Sequence, residues 1–328
     1  MASIKDVARE SGVAISTVSK VLNNYPNVSK DTKDKVNAAI EKLGFVPNAV
    51  ASALSSKQTG RVAILMNETT NVSIDEVDMQ YLSGAIKTAR ELKMDVITLF
   101  FSMIEEKSAS EITAYLRSQS VEGLIIFGLS RDDKTILELV ERREFKVVLV
   151  DAPIVNESTS CVWVDQYKAQ FDVASELYNM NKPKKALYLK GKDNSFVSDL
   201  RLKAVKDLCK QNKITLGVRA SEFSEKKARE IVLKHGKDYD CVICASDLCA
   251  IGAMRALTDL DIFRPVCGFD GISLMGYAGH QMITVKQDFT LIAATAVSEL
   301  SKLLTGEEGR EVILPHKVVR VEYLNVIF

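Results

Sequence analysis

The first residues whose side chains could take part in recognition are Ile15, Ser16 and Lys20. They lie in a short helix-forming stretch near the start of the chain. The ammonium group of Lys20 could donate to a guanine edge or to a phosphate, and the hydroxyl of Ser16 could contact most bases. The side chain of Ile15 could meet a thymine methyl group. These residues are therefore candidates for reading DNA bases, although an exposed helix start is the alternative interpretation of Ser16 and Thr17.

Polar side chains around this stretch could hold the DNA backbone, which positions a protein without specifying sequence. The candidates for phosphate contact are Thr17, Ser19, Asn23, Tyr25 and Ser29. Residues 1–60 contain eight Lys or Arg and five Asp or Glu, so they carry a net charge of +3 in a chain whose formal net charge is zero. A basic N-terminal part suits contact with phosphates, and an ordinary solvated surface is the alternative.

A second set of candidate residues is charged and lies later in the chain. Asp151, Asp247 and Asp270 each follow an apolar, strand-like run. Arg201 lies at the start of a predicted helix, after a Ser-rich turn. Ligands of open α/β sheets bind beyond the carboxyl ends of the strands. Four charged groups around one cleft would suit a polyol or another hydroxyl-rich ligand, or a ligand that carries an anion for Arg201.

These cleft candidates have simpler alternatives. Asp247 could be the N-cap of the helix that follows it, and Asp270 could be a turn residue. Phe196 and Trp163 are possible stacking faces for a ring, but a core position is the commoner role for Trp163 because aromatic side chains mostly serve packing.

Short helices must position the first set of residues. Apolar residues recur at helical spacing on both sides of Gly12, and Ser3 begins a capping-box sequence. Two short helices joined by a tight turn are typical of the helix-turn-helix of DNA-binding proteins. Ser29 and Gly44 are expected to bound a third helix.

Strand–helix alternation must position the second set. From Arg61 onwards, short β-rich apolar runs alternate with helical stretches, which predicts parallel sheets with crossover helices. The predicted strands are 62–66, 96–101, 123–127, 146–150, 186–190, 214–220, 241–244, 265–269 and 317–323. The chain is thus predicted to combine an all-α head with an α/β core.

The overall composition bounds the class of protein. The chain has 328 residues, 47% hydrophobic and 26% charged, which are ordinary values for a protein of two or three domains. No apolar run approaches the roughly 18 residues of a membrane span, and no signal peptide precedes the first helix, so we expect a cytoplasmic protein without a membrane partner. Because no catalytic motif, phosphate-cradling Gly loop or metal cluster appears, we expect neither an enzyme nor a cofactor.

The six cysteines are expected to be reduced thiols. Cys241 and Cys244 have the CxxC spacing of some metal and redox sites. The segment DCVICAS reads instead as a buried strand, in which residues three apart point to opposite faces, and we favour that interpretation.

The N-terminal sequence closely resembles the LacI family of bacterial transcription regulators. The resemblance rests on DVA-x-x-x-GV-x-x-STVS-x-VLN, then NVS, a helix, and FVPN-x-VA-x-x-L, without a gap over residues 3–54. It continues more loosely to the end of the chain, where the two sets of strands resemble the periplasmic-binding-protein architecture. The fold that this implies is a helix-turn-helix headpiece followed by two doubly wound parallel-sheet lobes with a ligand cleft between them.

The resemblance also divides the chain. It implies a helix-turn-helix DNA-binding domain over residues 1–46, a hinge helix and linker over 47–60, and an effector-binding and dimerisation core over 61–328, whose first lobe comprises about 61–161 and 291–320 and whose second comprises about 162–290. In the hinge, Asn48 would cap the helix, Ala51 would lie where paired hinge helices touch, and Leu54 would wedge into the minor groove.

The resemblance places the candidate site residues at positions with known roles in the family. Ile15, Ser16 and Lys20 match the base-specificity positions. Arg201 matches the ligand-binding arginine, and Asp247 and Asp270 match acidic ligand positions.

The sequence departs from the family pattern at four places. Ala14 replaces the usual Ser or Thr cap, and Ser246 replaces the usual Asn before Asp247. Residues 263–265 replace a longer loop, and residues 280–281 stand where a proline is usual. The last three departures leave the identity of the ligand open.

The expected function is a dimeric, ligand-responsive repressor that binds a palindromic operator in double-stranded DNA and responds to a small, sugar-like metabolite. No leucine heptad follows the last predicted strand, so a coiled-coil tetramer is not expected. The alternative is a catabolite-type regulator whose core binds a phosphorylated carrier protein rather than mainly a small molecule.

Overall fold

A computed structural model describes residues 2–22, 25, 27–45, 61–67, 76–278 and 282–321. The chain divides into two units, Met1–Thr59 and Gly60–Phe328. The described part of the first unit is helical, and the second unit is an α/β core with two sheets.

The helices of the first unit are α1 (Ile4–Ser11), α2 (Ile15–Leu22) and α3 (Lys30–Leu43). The predicted capping box is present, because the Ser3 side chain accepts from the backbone N–H of Asp6 and the Asp6 carboxylate accepts from the N–H of Ser3. Gly12 ends α1 with φ of 67°, a left-handed conformation that glycine adopts readily. Ser29 caps α3 by accepting from the N–H of Thr32.

A small apolar core joins these helices. Val7, Val18 and Val36, one from each helix, have no solvent exposure. Ala14 stands where the family usually has a Ser or Thr cap, so it has no side-chain oxygen to cap α2. Its backbone carbonyl oxygen accepts from the N–H groups of Thr17 and Val18. A Ser or Thr cap is worth about 1 kcal/mol, so α2 depends more on its packing.

The first lobe of the core is built on a six-stranded parallel sheet in the order β11-β5-β4-β3-β1-β2. Its strands are β1 (Arg61–Met66), β2 (Asp95–Phe100), β3 (Val121–Phe127), β4 (Lys146–Val150), β5 (Thr159–Val164) and β11 (Glu311–Leu314). Its helices are α4 (Glu76–Glu91), α5 (Ala109–Ser118), α6 (Lys134–Glu141) and α11 (Phe289–Leu304). Helices cover both faces, so the central strands are apolar on both sides.

The second lobe is built on a six-stranded sheet in the order β12-β10-β9-β8-β6-β7. Its strands are β6 (Lys185–Lys190), β7 (Thr215–Ala220), β8 (Cys241–Cys244), β9 (Val266–Cys267), β10 (Met282–Lys286) and β12 (Lys317–Val321). Its helices are α7 (Gln166–Asn181), α8 (Phe196–Gln211), α9 (Glu225–His235) and α10 (Asp247–Asp259). The edge strand β12 pairs antiparallel with β10, and the other pairs are parallel.

The fold class predicted from the sequence is confirmed, but two lobe boundaries differ from the prediction. The predicted cut after residue 161 falls inside β5, which lies whole in the first sheet because it pairs with β4 and β11. β12, whose residues were mostly assigned to the first lobe, joins the second sheet by pairing with β10. The chain therefore crosses between the sheets three times, after β5, after β10 and after β11.

One absence and one buried strand bear on the predictions. Within the described residues, no helix is long and apolar enough to cross a membrane. Cys241 and Cys244 lie in β8 and are fully buried, which confirms the strand interpretation. Burial raises the pKa of Cys241 to about 12, so its thiol stays protonated.

Candidate DNA interface and effector cleft

The candidate base-contacting residues share one exposed face of α2. Ile15 is 45% exposed, which is high for an isoleucine, and Ser16 and Lys20 are exposed beside it. Val18 and Val21 on the other face are buried in the three-helix core. Because packing fixes which face of α2 is buried, an apolar, a hydroxyl and a cationic side chain are presented outward together.

The candidate phosphate contacts are less uniform. Thr17 and Ser19 are half-buried, and Tyr25 is 41% exposed. The hydroxyl of Ser29 is already bonded within α3, to the N–H and hydroxyl of Thr32. Asn23 lies outside the described residues, as do the hinge candidates Asn48, Ala51 and Leu54.

The centre of the candidate effector cleft is Arg201, which lies in the second turn of α8 and is 5% exposed. Its Nε donates to Gln166 Oε1 at 2.9 Å, and its Nη1 donates to the carbonyl oxygen of Ala245. The guanidinium carbon lies 3.6 Å from the centre of the Phe269 ring, and Nη1 is 3.9 Å from Asp270 Oδ1. The guanidinium is thus held in place from several sides.

Asp151 joins this group from the first lobe. It follows β4 with φ of 62°, a conformation that Asp tolerates better than most residues. Its Oδ1 accepts from Gln166 Nε2 at 2.9 Å, and its Oδ2 accepts from the Tyr81 hydroxyl at 3.3 Å. Burial raises the pKa of Asp151, while the charge of Arg201 and these hydrogen bonds oppose the rise.

Asp270 follows β9 in a strained conformation, with φ of 126°. Its N–H donates to the carbonyl oxygen of Val285 at 2.8 Å, and its Oδ1 accepts from Gln287 Nε2 at 3.3 Å. Strained backbone of this kind persists where surrounding contacts enforce it, often at functional sites. Asp270 forms an isolated parallel bridge with Lys286 rather than a turn, and it lies beside Arg201. Its role in binding a ligand stays a prediction.

Asp247 is not the N-cap of α10, so the alternative interpretation of this residue is wrong. Ser246 fills that position, accepting from the N–H of Cys249. The Asp247 carboxylate is fully buried and accepts from the N–H groups of Gly271 and Ile272, at 2.7 and 2.9 Å, and from the Thr284 hydroxyl.

Burial raises the pKa of Asp247 to about 6, although its hydrogen bonds favour the ionised form. With both oxygens engaged internally, Asp247 supports the backbone that follows Asp270.

The two aromatic candidates lie in different surroundings. Phe196 begins α8 and packs partly on the core of the first lobe, and the Arg131 guanidinium lies 4.3 Å from its ring centre. Trp163 is half-buried in β5 and pairs with Ile313 in β11. Its indole N–H is buried and has no hydrogen-bond partner among the residues that the structure describes.

A cavity in the first lobe has walls that contain none of these charged residues. A cavity of about 400 Å³ adjoins the first sheet, in the range of small-ligand pockets. Its walls include Asn67 after β1, Phe101 after β2, Glu105, and Asp132 and Lys134 before and within α6. This is the carboxyl edge of the strands, where the sequence analysis expected a ligand.

Sequence reasoning missed Gln166 and Tyr81, the residues that connect the charged ones. Gln166 is fully buried, and its amide bridges Asp151 of the first lobe and Arg201 of the second. A neutral glutamine and tyrosine carry no charge pattern, so only the fold shows that they meet carboxylates. Because no strand was predicted where β5 lies, the position of Gln166 just after β5 carried no signal in the sequence.

Comparison with known families decides the identity of the chain. The model described as bacterial regulatory proteins, lacI family, matches residues 3–48. The model described as periplasmic binding proteins and sugar binding domain of LacI family matches residues 61–314. The chain belongs to the LacI family. The resemblance inferred from the sequence is confirmed.

The chain is similar in sequence to known regulators over almost its whole length. The HTH-type transcriptional regulator RegA of Clostridium saccharobutylicum is 30% identical over 332 residues, covering 98% of each chain. Catabolite control protein A of Staphylococcus aureus is 28% identical over 339 residues, again covering 98% of each chain.

Solved structures show the same fold. The lac repressor dimer bound to operator and the anti-inducer ONPF has a TM-score of 0.82 and 24% identity, with 97% of each chain covered. The transcriptional regulator CelR in complex with cellobiose has a TM-score of 0.70 and 22% identity, with 98% of this chain and 99% of that chain covered. This LacI-family member is a ligand-responsive, DNA-binding regulator of transcription.

Proposed function

We propose that this LacI-family protein is a dimeric repressor that binds a palindromic operator and is controlled by a small, hydroxyl-rich metabolite in the interlobe cleft. The observation that carries the DNA-binding part is the exposed face of α2, where Ile15, Ser16 and Lys20 stand outward over a buried valine core. The net positive charge of residues 1–60 supports the same assignment. The protein would act in the cytoplasm on DNA, without enzymatic activity or a cofactor.

The proposed roles within the DNA-binding part follow exposure and chemistry. Ile15, Ser16 and Lys20 would contact bases in the major groove. The phosphate contacts would be Thr17, Ser19, Asn23, Tyr25 and Ser29. In Ser29 the hydroxyl also caps α3, so its loss would weaken the helix as well as any DNA contact.

The hinge would couple the two parts of the molecule. We propose that Asn48 begins a short helix in the linker, that Ala51 lies where two such helices touch, and that Leu54 enters the minor groove and kinks the operator. A segment of this length is marginal as an isolated helix, so its formation can depend on DNA and on the spacing of the two subunits.

The effector site would be the cleft around Arg201. Asp151 and Asp270 supply carboxylates that accept from sugar hydroxyls, and Phe196 and Trp163 supply ring faces. Asp247 would act by holding the backbone after Asp270 rather than by touching the ligand. The family model described as a sugar binding domain supports a hydroxyl-rich ligand. The effector would change the angle between the lobes and therefore the spacing of the two Asn48 positions in the dimer. The affinity for DNA would change with that spacing.

The second candidate function is the catabolite-type regulator whose core binds a phosphorylated carrier protein. The 28% identity to a catabolite control protein A favours it. Capture of such a carrier by the full-length protein, with no small-molecule thermal shift, would support this candidate over the first.

The test of the main proposal is selection of duplexes from a random DNA library by the full-length protein. We expect an enriched inverted repeat bound by two copies of the chain, because each head would read one half-site. Binding without an enriched sequence would contradict the proposal.

A further inference from the structure

A set of contacts between the lobes lies outside the charged group around Arg201. One side is the loop between β3 and α6, residues 130–132, and the other is residues 194–199 at the start of α8. Ser130 and Ser195 form an antiparallel β-bridge, and the N–H of Arg131 donates to the carbonyl oxygen of Asn194 at 2.9 Å. We call these two segments the clasp.

Side chains extend the clasp on both sides of the backbone bridge. Arg131 forms an ion pair with Asp199, and its guanidinium lies over the Phe196 ring. The Asn194 side chain donates to Asp132 Oδ1 at 3.0 Å. One first-lobe arginine therefore contacts the second lobe through its main chain, its charge and its planar face.

Both sides of the clasp are shaped within their own lobe. The Asp133 carboxylate accepts from the N–H of Ser130 at 2.6 Å and from its hydroxyl at 2.8 Å, which fixes the turn that presents Arg131. On the other side, Ser195 caps α8 by accepting from the N–H of Ser198. Since neither loop has to order itself on contact, little conformational entropy opposes closure.

A second contact holds another part of the same lobe boundary. The Glu76 carboxylate at the start of α4 accepts from the N–H of Ser273 at 2.8 Å and from its hydroxyl at 3.0 Å. Between the two contacts, Gln166 links Asp151 to Arg201. Hydrogen bonds between protein groups thus connect the two lobes at these three places.

We propose that the clasp holds the two lobes together before any effector binds, with Arg131 as its central positioning residue. An effector would then have to act on a core that is already closed, and its apparent affinity would be reduced by the small fraction of molecules with an open clasp. This consequence rests on the proposed function, because it assumes that the cleft takes an effector. Asp132 both lines the cavity and accepts from Asn194, so a ligand there would touch the clasp directly.

The ion pair of the clasp is open to solvent. The Arg131 and Asp199 side chains are 47% and 55% exposed, so solvent and salt screen their attraction. The structure therefore predicts that high salt loosens the clasp, whereas the backbone bridge persists longer.

Disulfide trapping in the full-length protein without added ligand tests the clasp. In the Ser130→Cys/Ser195→Cys variant, the paired Cα atoms of an antiparallel bridge are close enough for a disulfide. The six native cysteines are buried and do not compete. We expect the intramolecular disulfide to form rapidly under mild oxidation, and much faster than in a Ser130→Cys/Lys234→Cys control pair.

Arg131→Ala in the same double-cysteine background measures the part played by the side chain. We expect trapping to slow about tenfold, the change that a lost contact of about 1.4 kcal/mol produces. Arg131→Lys should restore part of the rate, because it keeps the charge but not the planar face. A rate that does not depend on residue 131 would overturn the role given to Arg131.

Amide hydrogen exchange of the unaltered protein provides a second measurement that needs no variant. The N–H of Arg131 should be protected in the ligand-free protein because it donates across the lobe boundary. An unprotected Arg131 amide, or trapping no faster than in the control pair, would overturn the proposal. DNA selection by the reduced double-cysteine variant separates the clasp from the proposed function. Failed DNA selection with rapid trapping would contradict only the proposed function. Successful DNA selection with slow trapping would contradict only the clasp.

Discussion

Asp247 shows how a single buried carboxylate can support a binding site without facing it. Its oxygens accept from two backbone N–H groups and from Thr284, and these bonds fix the chain that follows Asp270. Gly268 must remain small beside it, because a Cβ there would lie 2.1 Å from Asp247 Oδ1. The carboxylate is thus part of the frame that holds Asp270 near Arg201.

The first prediction follows from the raised pKa of Asp247. A carboxyl group whose pKa is about 6 in the folded protein, against an ordinary value of 3.8, binds protons more tightly in the folded state than in the unfolded state. Its contribution to stability is therefore greatest at acid pH and is lost as pH rises from about 4 to 6. Asp247→Asn should gain stability relative to the unaltered protein over that pH window, measured by urea unfolding. A stability difference that stays constant or moves the other way would rule out this account of Asp247.

Helices α4 and α11 pack closely against each other and so connect the early and late segments of the first lobe. A Cβ on Gly84 would lie 2.3 Å from the carbonyl oxygen of Thr290, so the backbones meet where only a glycine fits. Ala85 and Ala89 on α4 and Ala293 on α11 are fully buried in the same core. Small residues on both helices permit this contact.

The second prediction is that Gly84→Ala destabilises the core by about 1–3 kcal/mol, the usual cost of overpacking. Ala favours helix over Gly, so a loss of stability would have to come from the contact with Thr290. Chemical unfolding measures it, with Ser83→Ala on the exposed side of the same helix as the control. Equal stability of the two variants would mean that the helices can move apart freely.

The third prediction concerns the proposed hinge. Leu54→Ala should weaken operator binding markedly while the dimer stays intact, because it removes the apolar wedge that would kink the DNA. Gel-shift titration and light scattering measure the two properties, and Ser55→Ala is the control. Unchanged operator affinity of Leu54→Ala would refute the hinge role.

The sequence was sufficient for the elements with strong periodic patterns. The capping box at Ser3, the cap at Ser29 and most strands of the core follow from local chemistry. β11 was missed because it is a short, partly exposed strand that forms by pairing with β5, which is distant in sequence. β5 and β10 were missed as well, although they are as long as β1 and β4. The partners of Asp247 could not be predicted from local sequence, since Gly271 and Thr284 come much later in the chain.

Within the described residues, three chain crossings and a network of side chains connect the two lobes of the core. The charged residues predicted from strand ends do converge, with Arg201 3.9 Å from Asp270 and joined to Asp151 through Gln166. Local sequence could predict the charged residues but not the neutral bridge between them. An effector that changes the lobe angle has to alter this network, so binding and conformation are linked.

The fourth prediction tests that linkage. Arg201→Ala should abolish the response to effector while leaving DNA binding without effector in place, because it removes the central guanidinium of the cleft. Thermal shifts against sugars, sugar phosphates, nucleobases and amino acids measure the response, and Arg219→Ala on the exposed edge strand β7 is the matched control. A normal response in Arg201→Ala would refute the cleft assignment.

The fifth prediction addresses the reading of DNA by α2, on which the proposed function depends. Lys20→Ala should change which bases are preferred within each half-site, because a lysine that donates to a guanine edge specifies that base. Lys35→Ala, which removes the same charge from the exposed surface of α3, should leave the preferred sequence unchanged.

Side-by-side selection of sites from a random duplex library by the unaltered protein and these two variants is the most direct measurement. The account predicts one inverted repeat for the unaltered protein and Lys35→Ala, and altered half-site bases for Lys20→Ala. The same repeat in all three proteins, with affinity uniformly lower for Lys20→Ala, would show that Lys20 touches only phosphate and would contradict its role in reading bases. No enriched repeat for the unaltered protein would contradict the assignment of α2 as the reading helix.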